Sequence, residues 1–296
     1  MELNSVEAVQ EALATQRYVS EQSLATAIYL GLRLPKPLLL EGEAGVGKTE
    51  VAKALATILD TELIRLQCYE GLDVSHAVYE WNYPRQMLAI RVLEDEHVDR
   101  DRAVEEIFST EYLIERPLLQ AVRHTEKAPV LLIDEIDRAD EEFEAFLLEL
   151  LSDFQVTIPE IGTIKAQHPP IVIITSNRTR ELHDALKRRC LYHWIDYPTI
   201  DKEFRIVTAK VPGISERLAH QITMFIHELR REDLYKLPGV AETLDWAAAL
   251  LALNQRELSS EIASATLGAI LKHQEDLQAI RKGKLDSLVA AAANGE

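Results

Sequence analysis

Eight consecutive residues have the types and spacing needed to bind a phosphate group. They fit the pattern GxxxxGK[ST] and are Gly42, Glu43, Ala44, Gly45, Val46, Gly47, Lys48 and Thr49. Glycines let the backbone turn its amide groups towards a phosphate, and a helix that follows adds the positive end of its dipole. Lys48 would reach the β- and γ-phosphates, and the Thr49 hydroxyl would hold Mg²⁺. The alternative is a glycine-rich turn with an incidental lysine.

Two acids follow an apolar run further along the chain. The run Val130 to Ile133 predicts a buried strand, which delivers Asp134 and Glu135 at its carboxyl end, where parallel sheets bind ligands. We expect Asp134 to support Mg²⁺, directly or through water. Glu135 would polarise the water that attacks the γ-phosphate. For Asp137 and the adjacent Arg138 we prefer a surface ion pair of little energetic weight.

Three further residues complete the candidate chemistry. Asn177 ends the β-branched run Ile171 to Ile174, where its amide could orient the attacking water or contact the γ-phosphate, unless it only forms an Asx turn. Arg188 and Arg189 end a short predicted helix before the last strand. Either arginine could act on a neighbouring subunit as an arginine finger, or both could simply favour the helix dipole. Spacing alone does not decide between these alternatives.

The elements that must position these residues alternate between strand and helix as far as Pro198. The predicted strands span residues 37–40, 63–67, 130–133, 171–174 and 191–195, and Asp140 is predicted to cap a helix. This order predicts an α/β fold with a parallel five-stranded sheet sandwiched by helices. Only helices follow, predicted at 201–210, 215–231, 240–254, 260–275 and 276–292. We therefore predict a nucleotide-binding core at 1–198, with an insert region at 70–120, and an all-helical lid domain at 199–296.

The composition limits the classes of function. The 296 residues carry a formal net charge of −17, which disfavours nucleic acid and membrane surfaces because both are anionic. No run approaches the roughly 20 apolar residues of a membrane span, and no secretory signal is visible. The two cysteines, Cys68 and Cys190, lack metal-binding spacing and are expected to be reduced thiols. These features predict a cytoplasmic protein.

Taken in order, these motifs resemble those of AAA+ ATPases, and in finer detail those of the MoxR group. The matching stretches are Pro37–Thr49, Leu131–Ala139, Leu147–Ile158 and Ile171–Tyr192. Within that group the sequence is most similar to the accessory ATPases encoded with carbon monoxide dehydrogenases, the CoxD-like subgroup. The resemblance covers roughly residues 15–250.

The resemblance implies a ring-forming, usually hexameric ATPase with ATP and Mg²⁺ as cofactors. Such proteins mature or remodel a metalloenzyme together with a von Willebrand factor A-domain partner. The family's Walker A residues fall on Lys48 and Thr49, and its Walker B acids on Asp134 and Glu135. Its sensor-1 position falls on Asn177, and its arginine finger on Arg189, with Arg188 a close second.

The insert region and the lid raise separate questions. The insert region holds Tyr69, Tyr79, Trp81 and Tyr83 and an acidic run from Glu94 to Asp101. Its aromatic residues could build a pore or partner-contact hairpin, or could pack on the core beside a solvated acidic face. A second hairpin is predicted around Gly162.

The lid lacks the sensor-2 arginine expected near 239–244. Either the role is lost, or Arg178 or Arg180 takes it. Asp137 replaces the usual MoxR asparagine.

Three functional hypotheses follow. The leading one is an ATP-hydrolysing machine that remodels a protein client. The second is a nucleic-acid-stimulated motor, which the acidic composition disfavours. The third is a nucleotide-gated scaffold with little turnover, which an intact Glu135 disfavours and the missing sensor-2 arginine leaves open.

Overall fold

The computed structural model describes residues 3–95 and 99–294 of the chain. The strands in these residues are β1 (Leu38–Gly42), β2 (Leu63–Gln67), β3 (Tyr79–Trp81), β4 (Leu113–Glu115), β5 (Val130–Asp134), β6 (Gln155–Ile158), β7 (Gly162–Lys165), β8 (Ile171–Ser176) and β9 (Leu191–Ile195). Five strands form one parallel sheet in the order β2-β5-β8-β1-β9. Strands β3 and β4 form one two-stranded ribbon, and β6 and β7 form another. The predicted parallel five-stranded sheet is confirmed.

Continuous apolar runs explain the central strands of the sheet. Every residue of β1 and β5 is buried, and so are five of the six residues of β8. A strand that is covered on both faces buries successive side chains, so its residues are apolar without alternation. Because these strands are parallel, their carboxyl ends lie at one edge of the sheet, which carries Glu41, Asp134 and Ser176.

The chain packs as two compact units. The first contains Met1–Val9, Gln22–Glu41 and Val51–Trp194, and the second contains Gln10–Glu21, Gly42–Glu50 and Ile195–Glu296. The sheet therefore lies almost entirely in the first unit, and the candidate phosphate loop belongs to the second. The predicted domain boundary after residue 198 stays a prediction.

Among the described residues, nine α-helices precede β9. They are α1 (Val6–Thr15), α2 (Gln22–Arg33), α3 (Lys48–Leu59), α4 (Val74–Ala77), α5 (Tyr83–Asp95), α6 (Arg100–Ile107), α7 (Pro117–Arg123), α8 (Glu141–Asp153) and α9 (Asp184–Arg189). Helix α8 begins as predicted, because Asp140 Oδ1 accepts the Phe143 N–H at 2.8 Å. Its apolar face, with Phe143, Leu147 and Leu150, joins the core that also contains β5 and β8.

The insert region combines packed and exposed aromatic residues. Trp81 is buried, with its ring centroid 5.3 Å from that of Phe108, and Tyr79 packs against the same core. Tyr69 and Tyr83 are exposed. The packing hypothesis therefore holds for half of the predicted aromatic set. Residues 96–98 of the predicted acidic run lie outside the described residues. The second predicted hairpin is confirmed as β6 and β7.

The second unit has its own helices and its own apolar core. The helices after β9 are α10 (Ile200–Lys210), α11 (Glu216–Leu229), α12 (Val240–Ala252), α13 (Ser260–Thr266), α14 (Gln274–Arg281) and α15 (Leu285–Asn294). Side chains of Thr199, Ser215 and Ser259 cap α10, α11 and α13. The predicted helix boundaries at 260–275 and 276–292 are wrong. Gly268 and Gly283 fall in the interruptions, where glycine weakens a helix.

Candidate functional site

The predicted phosphate loop (the P-loop, residues 42–49) follows β1 without interruption and runs directly into α3. Gly45 and Gly47 have φ angles of +78° and +97°, which side chains other than glycine rarely adopt. The turn therefore requires glycine at positions 45 and 47. The amino-terminal end of α3, with its first amide groups and the positive end of the helix dipole, is suited to an anion.

Lys48 is folded back onto its own loop. Its Nζ atom donates to the carbonyl oxygen of Gly42 at 2.7 Å and to that of Glu43 at 2.6 Å. Only 6% of the residue is exposed. The Lys48 side chain is therefore held against the backbone carbonyl groups at the start of the P-loop.

Asp134 ends β5 and takes part in two kinds of charge-assisted contact. The guanidinium of Arg65, on β2, donates to Asp134 Oδ2 from Nε at 3.1 Å and from Nη2 at 2.6 Å. The hydroxyl of Thr175, on β8, donates to Asp134 Oδ1 at 2.5 Å. Asp134 is buried. The carboxylate is therefore held in one orientation at the carboxyl end of its strand.

Glu135 begins the turn that follows β5 and has a left-handed φ of +56°. Its N–H donates to Thr175 Oγ1 at 2.9 Å, so a single hydroxyl joins both acids. Its Oε2 atom accepts from Arg138 Nε at 2.9 Å and from Gln67 Nε2 at 3.2 Å. Oε1 receives no hydrogen bond from a described residue. The side chain thus keeps one oxygen for a further partner.

Asp137 is not the surface ion pair that the sequence predicted. It is 3% exposed, and its carboxylate faces the loop after β8. Oδ1 accepts the N–H of Asn177 at 3.1 Å, while Oδ2 accepts the N–H and the hydroxyl of Thr179 at 2.8 and 2.7 Å. Arg138 pairs instead with Glu135. In the 3₁₀ turn Ile136–Arg138, Ile136 and Asp137 are buried and Arg138 is exposed, which separates these neighbours.

The pKa of Asp137 reflects two opposed causes. Burial raises the pKa of the carboxyl group, because it disfavours the charged form. Hydrogen bonds from Thr179 and Asn177 favour the carboxylate and prevail, so the pKa lies below its ordinary value. Asp137 is therefore an anion that fixes the backbone at the half-buried Asn177.

Arg188 and Arg189 end α9 as predicted and are exposed. Arg189 Nε donates to Ser152 Oγ at 2.9 Å, and Nη1 donates to the Ala185 carbonyl at 3.3 Å. Among the described residues, its hydrogen-bond partners lie on α8 and α9 and do not include Asp134 or Glu135. The structure thus brings Asp134, Glu135 and Asn177 together and leaves Arg189 outside that cluster.

Both arginines proposed as sensor-2 substitutes make structural contacts. Arg180 pairs with the buried Glu144 and donates to the Ala139 carbonyl from Nε at 3.1 Å. Arg178 lies with its guanidinium carbon 5.5 Å from the centroid of the Trp194 ring. Both arginines therefore hold structure in the first unit.

Several residues of the site were not predicted. Arg65, Gln67 and Thr175 contact the two acids from neighbouring strands. Arg65 and Gln67 alternate with buried apolar residues along β2, and this two-residue period indicates that both lie on the same face of the strand. Nothing in the sequence indicated that these two face Asp134 and Glu135, because that depends on the register of β2 against β5.

The donor chemistry suits a hard divalent cation. Thr49 offers a hydroxyl oxygen and Asp134 a carboxylate. Among residues 3–95 and 99–294, no three His, Cys, Asp or Glu side chains form a cage for a metal ion. Magnesium keeps several waters and usually takes only one or two carboxylates besides substrate phosphates. A hydroxyl oxygen and a carboxylate oxygen are ligand types that a hard divalent cation takes.

Comparisons with known proteins give a family and a fold. Residues 37–190 match the family model of the AAA domain (dynein-related subfamily). An uncharacterised protein of Staphylococcus epidermidis is 24% identical over 251 residues, covering 82% of this chain and 86% of its own length. An uncharacterised protein of Staphylococcus haemolyticus is also 24% identical, covering 87% and 91%.

A solved structure supports the fold alone. A proline-to-glycine mutant of Thermotoga maritima RuvB superposes with a TM-score of 0.50 and 18% identity, covering 92% of this chain and 72% of that chain.

Within the part of the chain that the structure describes, no helix is long and apolar enough to cross a membrane. The family match spans more than half of the chain, from the residue before β1 to the residue after α9, and includes the P-loop and both acids. The chain therefore belongs to the dynein-related AAA domain family of AAA+ ATPases, which bind a nucleotide with a divalent metal.

Proposed function

We propose that the chain is a MoxR-type, CoxD-like ATPase, which hydrolyses Mg·ATP to remodel a client protein. One observation carries the hydrolytic part of this proposal. Thr175 joins Asp134 to the backbone of Glu135, and Asp137 joins the same turn to Asn177. An acid suited to a metal, a candidate base and a polar amide are thereby held by a single hydrogen-bond system.

Different residues of the chain bind the phosphates and the metal ion. The P-loop amides and Lys48 bind the phosphates, with Lys48 exchanging the carbonyl groups of Gly42 and Glu43 for phosphate oxygens. Thr49 and Asp134 would hold Mg²⁺, which neutralises charge on the phosphates.

Glu135 and Asn177 act on the attacking water. The water oxygen forms a bond to the γ-phosphorus, the bond to the β-phosphate oxygen breaks, and Glu135 accepts the water proton. Oε1 suits this step because Arg138 and Gln67 both occupy Oε2. Asn177 orients the water from the end of β8, since its backbone is fixed by Asp137.

Replacing the base tests this assignment. We expect Glu135→Gln to lower phosphate release at least about 100-fold while leaving the binding of a fluorescent ATP analogue unchanged, because general-base catalysis contributes roughly that factor. Glu141→Gln makes the same chemical change at an exposed position in the first turn of α8 and serves as the control. Unchanged phosphate release in Glu135→Gln would show that another group activates the water.

We further propose a ring, a hexamer, in which Arg189 acts on the nucleotide of the neighbouring subunit. AAA+ proteins typically form rings, and Arg189 lies outside the acid cluster of its own chain. Arg189→Ala should then abolish turnover, and specific activity of the natural protein should rise with its concentration. Arg188→Ala is the matched comparison, and a loss in that variant alone would move the role to Arg188.

Mixing two inactive variants makes the test of shared sites sharper. In a mixed ring, a subunit with Arg189→Ala still supplies Glu135, and its Glu135→Gln neighbour still supplies Arg189. Mixing should therefore restore a measurable part of the ATPase activity. If neither variant is rescued and activity is independent of protein concentration, each chain works alone and the ring is excluded.

The proposed client is a metalloenzyme of the molybdenum hydroxylase or carbon monoxide dehydrogenase type, acted on with a von Willebrand factor A-domain partner. This proposal rests on the resemblance of the ordered motifs to the MoxR group. Adding the partner and the immature client to the natural chain should stimulate turnover and yield active client, whereas Glu135→Gln should yield none. Stimulation by DNA in place of these proteins would instead favour a nucleic-acid motor, against the net charge of −17.

A further inference from the structure

The first turn of α12 lies directly on the P-loop, within the second unit. The N–H of Ala241 donates to the carbonyl oxygen of Gly45 at 3.1 Å. A Cβ added to Gly239 would come within 2.7 Å of the Ala44 carbonyl oxygen and 3.0 Å of the Gly45 Cα. No residue larger than glycine fits there without moving one backbone away from the other. The contact is therefore made backbone to backbone.

A carboxylate is built into this contact. Glu242 Oε2 accepts the N–H of Gly239 at 2.9 Å, as a glutamate at the third helical position does in a capping box. The same oxygen lies 3.0 Å from the position that a Cβ on Gly45 would occupy. The negative charge of Glu242 thus lies against the middle of the loop that binds phosphate.

This charge is not neutralised by an ion pair. Among the described residues, Glu242 has no partner within a salt-bridge distance. Arg230, which is close enough to affect the same Tyr197 hydroxyl as Glu242, is committed to Glu203 through two hydrogen bonds of 2.6 and 2.8 Å. Glu43, in the P-loop itself, adds a second negative charge near Tyr197. Arg230 brings one positive charge to this side of the loop, but its hydrogen bonds go to Glu203 and to the Pro238 carbonyl rather than to Glu242.

We propose that Glu242 weakens phosphate binding at the P-loop by charge repulsion and so sets the affinity of the chain for its nucleotide. The proposal rests on the proposed function, because it takes the P-loop as the phosphate site. A nucleoside triphosphate carries several negative charges, and like charges a few ångströms from a loop repel it with an energy that salt reduces. The repulsion grows with the number of phosphates.

Such an arrangement has a consequence for release. A loop that holds phosphates through many amide groups and a lysine binds tightly, and tight binding of product slows turnover when release is limiting. A fixed carboxylate beside the loop raises the free energy of the bound state without removing any of the groups that bind. Glu242 is thus an affinity-determining residue rather than a catalytic one.

The substitution Glu242→Gln separates the charge from the cap, because glutamine can accept the same Gly239 N–H. We expect it to bind a fluorescent, non-hydrolysable ATP analogue about 3- to 10-fold more tightly at low salt, with a smaller gain for labelled ADP. The gain should shrink as the ionic strength rises. Glu261→Gln, which makes the same change in the first turn of α13 at an exposed residue, should alter affinity less than about two-fold.

The outcomes distinguish the inference from the proposed function. If the natural chain binds no nucleotide, the proposed function fails before Glu242 is tested. If the chain binds but Glu242→Gln matches Glu261→Gln or binds more weakly, the repulsion is refuted. Thermal unfolding of each variant shows whether the substitution has weakened the helix cap at Gly239. Should Glu242→Gln be destabilised, Glu242→Lys must still bind more tightly than the natural chain for the proposal to stand.

Discussion

The carboxylate of Asp137 accepts the backbone N–H of Asn177 at 3.1 Å, which fixes the residue at the end of β8 from the turn that follows β5. The same carboxylate accepts two hydrogen bonds from Thr179. Three donors on one buried anion leave the loop after β8 little freedom. The two strands that carry the candidate chemistry are therefore coupled at their ends by a side chain that does no chemistry itself.

Removing this carboxylate should affect both stability and turnover. Asp137→Ala leaves buried N–H groups without an acceptor, which should cost about 3 kcal/mol in the free energy of unfolding. Turnover should fall while nucleotide affinity changes little, because Asn177 loses its fixed backbone. Urea unfolding and phosphate release measure the two effects, and Glu141→Ala, at an exposed position, is the control. Full activity in Asp137→Ala would show that Asn177 is positioned by other contacts.

The pH dependence of stability should report the same group. The folded-state pKa of Asp137 is below its ordinary value of 3.8, so its carboxylate stabilises the folded state above that value. The contribution is lost as the pH falls through the folded pKa. The stability difference between the natural chain and Asp137→Asn should be constant above about pH 5 and should shrink below about pH 4. A difference that stays constant down to about pH 3 contradicts the pKa assignment.

The pair Arg65 and Asp134 predicts an effect on metal dependence. Arg65 places a cation on Asp134 Oδ2, so it competes with a divalent metal for the same carboxylate. Arg65→Gln should lower the Mg²⁺ concentration that half-saturates binding of a fluorescent ATP analogue about 2- to 5-fold, as expected for a partly exposed charge. Arg91→Gln, at an exposed position on α5, controls for net charge. An unchanged Mg²⁺ dependence would separate Arg65 from the metal site.

The second unit should depend strongly on one buried ion pair. Arg230 and Glu203 are 7% and 1% exposed in their side chains, and Thr243 Oγ1 also donates to Glu203. Arg230→Met leaves the Glu203 carboxylate buried without its cation and should cost about 3–5 kcal/mol. Arg230→Met combined with Glu203→Leu should recover part of that loss. Thermal unfolding measures both, and a double variant no better than Arg230→Met would show that the pair acts through packing.

The sequence by itself determined the parallel sheet, the P-loop, and the acids at the end of β5. Each depends on local order: an apolar run predicts a buried strand, and a glycine pattern with a lysine predicts a turn that wraps a phosphate. The cap at Asp140 was predictable for the same reason. These signals lie within a few residues of one another and need no knowledge of distant contacts.

Only the tertiary structure decided which side chains meet. Asp137 and Arg138 are adjacent, yet one is buried against the loop after β8 and the other pairs with Glu135. Arg65 and Gln67 reach the acids of β5 because the register sets Gln67 opposite Asp134. The approach of Gly239 to Gly45 joins residues that are far apart in the sequence. Such contacts depend on how strands pair and units fold, and the linear order of residues does not specify them.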